Sequence, residues 1–182
     1  MIDIIFLGTG TSQGVPIIGS DHPVCKSQNK KDKRLRVSVA LKWGNFFFVI
    51  DCGPDFRQQM LKSKVSKIDA ILFTHEHSDH TAGLDDVRPI SFKHGKIPIF
   101  AHKRVISNLE RRFDYLFDKK GYYTGAPHVF SNIINEESNF NFEDLEFTTI
   151  SYMHHKLQVF GFRYKNIAYI TDLSLIHISE PT

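Results

Sequence analysis

Hydrophobic residues fall into short runs of strand length, separated by polar or glycine-containing breaks, with little of helical period between them. Residues 2–6 read as a first strand, which meets a loop over 8–19 whose four glycines allow tight turns. Residues 37–43 and 46–50 read as two strands joined by a turn at Gly44 and Asn45. A short helix over 56–62, a strand over 68–73, a helix from 84 that Pro89 limits by 90, and a strand over 97–101 follow. The clearest helical spacing lies in 104–117, where Val105, Leu109, Phe113 and Leu116 recur and predict a core-facing stripe. Residues 121–141 read as irregular, a substrate-side excursion. Strands return over 145–152, 158–164 and 167–170, the last two joined by a turn at Lys165 and Asn166. Strand pairs alternating with helices predict a layered α/β domain.

One strand leads straight into chemistry. After residues 68–73 the chain reads Thr74-His75-Glu76-His77-Ser78-Asp79-His80, three imidazoles and two carboxylates in six residues. His75 and His77 are two apart, so an extended backbone sends both to one side, where they can share an ion. Glu76 alternates to the other side and is expected to be exposed. Asp79 and His80 follow where the chain turns towards Ala82 and Gly83, placed for a second ion; Asp79 could equally be a general base. Two further candidate ligands, His154 and Asp172, also sit at strand ends, with His155 the better candidate for a surface histidine. The pattern reads as a two-metal site.

Composition narrows the setting. A chain of 182 residues, 24% charged and 41% hydrophobic, suits one domain with a real core. A net charge of +3 is too small to argue for nucleic acid or a membrane surface. The run Lys30-Lys31-Asp32-Lys33-Arg34 reads as a solvated face, and Arg34 with Arg36 as surface positions. No segment approaches the roughly 18 apolar residues of a membrane span. The N-terminal residues read as a strand and not as a signal peptide. Cys25 and Cys52 give no disulfide framework, so a cytoplasmic setting is expected. The glycine loop is not a phosphate-binding P-loop, because no Gly-Lys-Ser/Thr ending follows.

The HxHxDH pattern at 75–80 resembles the signature of the metallo-β-lactamase superfamily. Its flanks, Leu-Gly-Thr-Gly-Thr-Ser-Gln-Gly-Val-Pro at 7–16, Asp-Lys-Arg-Leu-Arg at 32–36, Asp-Cys-Gly-Pro-Asp-Phe-Arg at 51–57 and Ala-Gly-Leu-Asp-Asp-Val-Arg-Pro at 82–89, resemble the PhnP-type branch, the phosphoribosyl cyclic phosphate phosphodiesterases. The likeness runs from residue 1 to about 172. It implies an αββα sandwich with metals at one edge between the sheets, its second half incomplete here. Residues 1–173 would form the domain and 174–182 a tail unlike the family.

The resemblance also implies roles. His75, His77 and His154 would hold one divalent ion, zinc or manganese, and Asp79 and His80 another, with Asp172 bridging both. Asp79 would be catalytic as well, orienting a hydroxide held between the ions. Asp51 would support the loop by hydrogen bonds without being a ligand. Asp85, Asp86 and Arg88 are substrate candidates; Arg88 could fork onto a phosphate, and a salt bridge to Asp85 explains it equally well. The branch often carries clustered cysteines that hold a structural zinc. Here Cys25 keeps one position, while His22 and Ser20 stand at others. Two ligands do not close a tetrahedral site, so a buried thiol is expected at Cys25 and a packing role at Cys52.

The superfamily's last metal-binding histidine has no counterpart, and His177 in the tail is not assigned to it. The second site is therefore expected to be incomplete, and the second sheet to keep an open edge and face. The implied activity is hydrolysis of a small cyclic ribose phosphate. A nuclease similar to tRNA 3′-end endonucleases and a non-catalytic metabolite binder or carrier of the same fold are the alternatives. The expected partner is a small phosphate ester, with no membrane; a homodimer is left open.

Overall fold

A computed structural model describes residues 2–118, 121–123 and 128–173. The strands are β1 (Ile2–Gly8), β2 (Ser38–Trp43), β3 (Phe46–Ile50), β4 (Ala70–Leu72), β5 (Ile97–Ala101), β6 (Val129–Ile133), β7 (Asn139–Phe142), β8 (Leu145–His154), β9 (Leu157–Tyr164) and β10 (Ile167–Tyr169). The α-helices are α1 (Pro23–Lys26), α2 (Phe56–Ser63), α3 (Ser78–Thr81), α4 (Arg88–His94), α5 (Lys103–Arg112) and α6 (Asp114–Phe117). Two sheets result: β1 to β6 in chain order, and β10-β9-β8-β7.

The two-residue period of the strands sorts their side chains into two cores. Along β2 and β3, Val39, Leu41, Phe48 and Ile50 face the second sheet, while Ala40, Phe47 and Val49 face the helices. Strands buried on both faces need continuous apolar runs, as in β3, β4 and β5. The helix-side core takes Phe56 and Met60 of α2, Val105, Ile106 and Leu109 of α5, and Leu116 and Phe117 of α6. The inter-sheet core is largely aromatic, with Phe48, Phe147, Phe160 and Phe162 buried in it, and no residue of a described helix enters it. The layers are therefore helix, sheet, sheet. β3 to β6 run parallel, each return made by helices, whereas β1-β2-β3 and the second sheet are antiparallel.

Three expectations need correction. Pro89 does not limit a helix but opens one: a 3₁₀ turn, Leu84–Val87, precedes α4, and Pro89 sits in the first turn, where its missing N–H costs nothing. The helix expected over 104–117 is broken at Phe113, whose φ of −129° leaves the helical region. The span expected to be irregular contains β6 and β7. Its residues 124–127, like the tail 174–182 with His177, lie outside the described residues. Among the described residues, no helix is long and apolar enough to cross a membrane.

Candidate metal centre

The site lies where strand ends of both sheets meet. β4 delivers Thr74 to His77, and α3 carries Asp79 and His80 with His77 as its N-cap residue. His154 is the last residue of β8, and Asp172 lies just beyond β10. A hydrogen bond from the Phe160 amide to the Thr74 carbonyl (3.0 Å) stitches the sheets together beside the cluster.

Two groups of donor atoms converge: His75, His77 and Asp172, and Asp79, His80 and Asp172, each group with its ligand atoms within 4.8 Å of one another. Asp172 belongs to both. Its Oδ2 lies 3.3 Å from His80 Nε2 and 3.8 Å from both His75 Nε2 and His154 Nε2. His75 Nε2 and His77 Nδ1 are only 3.0 Å apart. The His154 ring stands 5.5 Å from that of His77 between centroids, so His154 lies beside the other five expected ligands but belongs to neither donor group.

Asp51 holds this arrangement from behind. It is fully buried and sits in the left-handed region (φ 62°), which aspartate tolerates better than most residues. Its Oδ1 accepts the Thr74 amide (2.9 Å), and its Oδ2 accepts the Thr74 hydroxyl (2.8 Å) and His80 Nδ1–H (2.7 Å). Because the Thr74 proton is spent on Asp51, Thr74 Oγ1 is left to accept from His75 Nδ1 at 2.9 Å. One carboxylate thus fixes the tautomer of two rings and turns both Nε2 atoms towards Asp172.

The backbone is as closely fitted. Cys52 N–H bonds to His80 O (2.8 Å) and Gly83 N–H to Cys52 O (2.9 Å). A Cβ on Gly53 would lie 1.8 Å from Asp79 O, and one on Gly83 2.1 Å from Gly53 O, so only glycine permits this approach.

The electrostatics divide the histidines. Burial, with the neighbouring His80, lowers His75 to about 4. Burial also opposes a charge on His80, but Asp51, Asp172 and Asp79 outweigh it and push that ring up to about 12. In return the His80 ring holds Asp172 well below the usual carboxylate range, and keeps Asp79 low against the opposing effect of burial. His80 Nε2 is nevertheless buried without a hydrogen bond of acceptable geometry, although two carboxylates lie 3.3 Å away. An orphaned imidazole nitrogen among carboxylates and further imidazoles is a donor set suited to a divalent cation.

Several expectations are revised here. Glu76 is not exposed: Arg104 Nε binds its Oε1 at 2.8 Å, and its side chain keeps 17% exposure. Arg104 also reaches the Gln158 carbonyl (2.6 Å), and Arg112 binds Thr81 Oγ1 (2.8 Å), so α5 clamps the loop from outside. Arg36 is not a simple surface residue: it meets Asp55 twice and the Ser12 carbonyl, pinning the glycine loop. Cys25 is not buried; its half-exposed thiol accepts a long bond from the Ile17 amide. His22 Nδ1 caps α1, and among the described residues no group of three donors includes His22 or Cys25. Cys52 is packed in the helix-side core as expected. Arg88 takes the salt-bridge alternative, 2.7 Å from Asp85, whose other oxygen accepts Tyr115 Oη–H (2.8 Å), and Asp86 is half-buried beside them. Thr74, Arg104 and Arg112 were missed because no spacing links them to their distant partners.

A family model described as a beta-lactamase superfamily domain matches residues 47–181. The chain belongs to the beta-lactamase superfamily. A crystal structure described as a new diphosphatase from the PhnP family superposes with a TM-score of 0.82 at 35% identity, covering 93% of this chain and 65% of that one. A Porphyromonas gingivalis protein named octanoyltransferase is 37% identical over 177 residues, 97% of this chain but 36% of that protein. A ribonuclease Z of Listeria monocytogenes is 28% identical over 169 residues, 89% of this chain and 48% of that protein. The chain thus spans between 36% and 48% of the length of these two curated relatives. With its paired sheets and helical layer, it has the metallo-β-lactamase fold, and this superfamily typically binds divalent metals at such donor groups.

Proposed function

We propose that the chain is a metal-dependent hydrolase of phosphodiesters, with a small cyclic ribose phosphate as its substrate. The observation that carries this reading is the pair of donor groups joined through Asp172, with the unpartnered His80 nitrogen buried between them. Likeness to the PhnP-family diphosphatase supports phosphorus chemistry. The octanoyltransferase name belongs to a protein of which the match covers only 36%, so acyl transfer is not carried over.

In this reading His75, His77, His154 and Asp172 would hold one cation, and Asp79, His80 and Asp172 the other. When bound, the cations would lower the pKa of water and offset charge gathering on the phosphate oxygens. Asp79, kept ionised beside His80 and 15% exposed, accepts a hydrogen bond from the attacking water and aims its lone pair at phosphorus. Asp51 keeps both Nε2 atoms turned inwards. Arg88 and Asp86 flank the substrate, Arg88 exchanging Asp85 for a phosphate oxygen.

The test joins metal content to turnover of bis(p-nitrophenyl) phosphate with zinc or manganese supplied. Turnover that Asp79→Asn reduces by about 10²–10³-fold is expected, the scale of losing one group that acts on the transition state. Absence of turnover in metal-loaded protein would favour a binder of the same fold. The ribonuclease Z relatives keep a second reading open, cleavage of precursor tRNA. Comparing that substrate with a cyclic ribose phosphate separates the two.

A further inference from the structure

The segment after α1 folds back over the end of β1 and lines an open cavity of about 320 Å³ that shares no residue with the donor groups. Lys30, Lys31, Lys33, Arg34 and Lys62 line it together with Phe6, and no carboxylate does. Five formal positive charges in one cavity exceed the +3 of the whole chain. Among the described residues none of the four lysines forms an ion pair, and Arg34 is aimed by a bond to Thr9 Oγ1 (2.8 Å). The solvated face expected from the run Lys30-Lys31-Asp32-Lys33-Arg34 is therefore only part of the account, because Lys62 of α2 and Phe6 of β1 come from elsewhere in the chain to the same cavity.

The backbone beside Arg34 is held, while the lysine side chains are exposed. Val15 N–H bonds to Arg34 O and Arg34 N–H to Val15 O (2.9 and 2.8 Å), and Gly10 N–H bonds to Leu35 O (2.7 Å). Gly8 lies so close that a Cβ there would sit 1.9 Å from Arg36 O. Phe6 is 69% exposed, a large aromatic face left in water beside the cations. A size near 300 Å³ is at the lower end of small-ligand cavities. Converging cations suit a polyphosphate, and an exposed ring suits a stacked base.

We propose that this cavity binds a nucleoside triphosphate, with its phosphates among the lysines and Arg34 and its base on Phe6. The cavity shares no residue with the donor groups, and the proposal does not rest on the hydrolase reading. Calorimetric titration of the whole chain with ATP, tripolyphosphate and AMP, at roughly 0.15 M ionic strength, tests it. ATP is expected to bind more tightly than either of the others. Lys33→Glu with Lys62→Glu should weaken ATP and tripolyphosphate by about tenfold or more, one step on the affinity scale. Phe6→Ala should weaken ATP alone, towards the value for tripolyphosphate, and Asp79→Asn should leave ATP binding unchanged. Circular dichroism of each variant confirms folding. The proposal is overturned by any of three results: no saturable ATP binding up to about 1 mM, ATP binding abolished by Asp79→Asn yet indifferent to the lysine changes, or a single-stranded oligonucleotide binding more tightly than ATP.

Discussion

Asp51 concentrates the physics of the metal centre into one carboxylate. Three donors converge on its two oxygens, and an asparagine there would keep the shape but turn an N–H₂ towards one of them. Asp51→Asn is expected to weaken metal binding about 10–100-fold and to destabilise the fold by about 1–3 kcal/mol. Chelator competition and thermal unfolding measure the two effects, and unaltered metal affinity would show that Asp51 serves folding alone. The histidines set a pH dependence in metal-free protein. His80 rises from 6.5 to about 12 on folding, so its contribution is full below 6.5 and lost as pH climbs. His75 falls from 6.5 to about 4, so stability is also lost as pH drops through that window, where only the unfolded ring takes a proton. Chelator-treated protein should therefore melt highest near neutrality among scans at about pH 5, 6.5 and 9, and His80→Asn should flatten the alkaline side. The histidines and Asp79 were legible in the sequence because they share one loop. Asp51's grip on Thr74 and His80 spans 23 and 29 residues, and local spacing carries no trace of which donors it meets.

Elements were legible where one force dominated. β3 and β5 are unbroken apolar runs because both faces are buried, and their limits are those the sequence predicts. β7 escaped notice although Asn139-Phe140-Asn141-Phe142 alternates strictly, because only one face is buried and polar residues surround it. Phe113 fits the helical stripe by spacing, yet the helix breaks there, and Leu116 and Phe117 beyond the break both lie in the helix-side core. Turns follow similar logic. Lys64 closes α2 with φ 56°, and His155 turns β8 into β9 with φ 54°. A side chain in that region costs about 1–2 kcal/mol, partly returned by glycine's freedom when unfolded. Lys64→Gly is expected to stabilise the fold by about 0.5–1 kcal/mol, a rise in Tm of about 1–4 °C. Lys64 is exposed and remote from the donor groups, so a fall in Tm would mean that its side chain carries a contact worth more than the backbone strain.

At the scale of the molecule, the metal centre depends on how two sheets rest on each other. His75, His77, Asp79 and His80 come from the first sheet's end, whereas His154 and Asp172 come from the second. Their relative placement is set by the aromatic inter-sheet core, not by the helix-side core, though both contribute to stability. Which apolar face meets which core is a tertiary choice, and the sequence shows only that such faces exist. Phe160 and Leu109 test the distinction, being 1% and 0% exposed in the two different cores. Phe160→Ala should cost about 3–5 kcal/mol and Leu109→Ala about 2–5 kcal/mol, comparable losses by the same cavity mechanism. Phe160 also carries the amide that bonds Thr74, so a cavity at its side chain lets the second sheet shift against the metal loop. Folded Phe160→Ala protein is therefore expected to bind metal more weakly, whereas folded Leu109→Ala protein should keep its affinity until it melts. Equal metal affinity in the two variants, measured well below either melting temperature, would mean that the loop alone fixes the donors and that the second sheet merely follows.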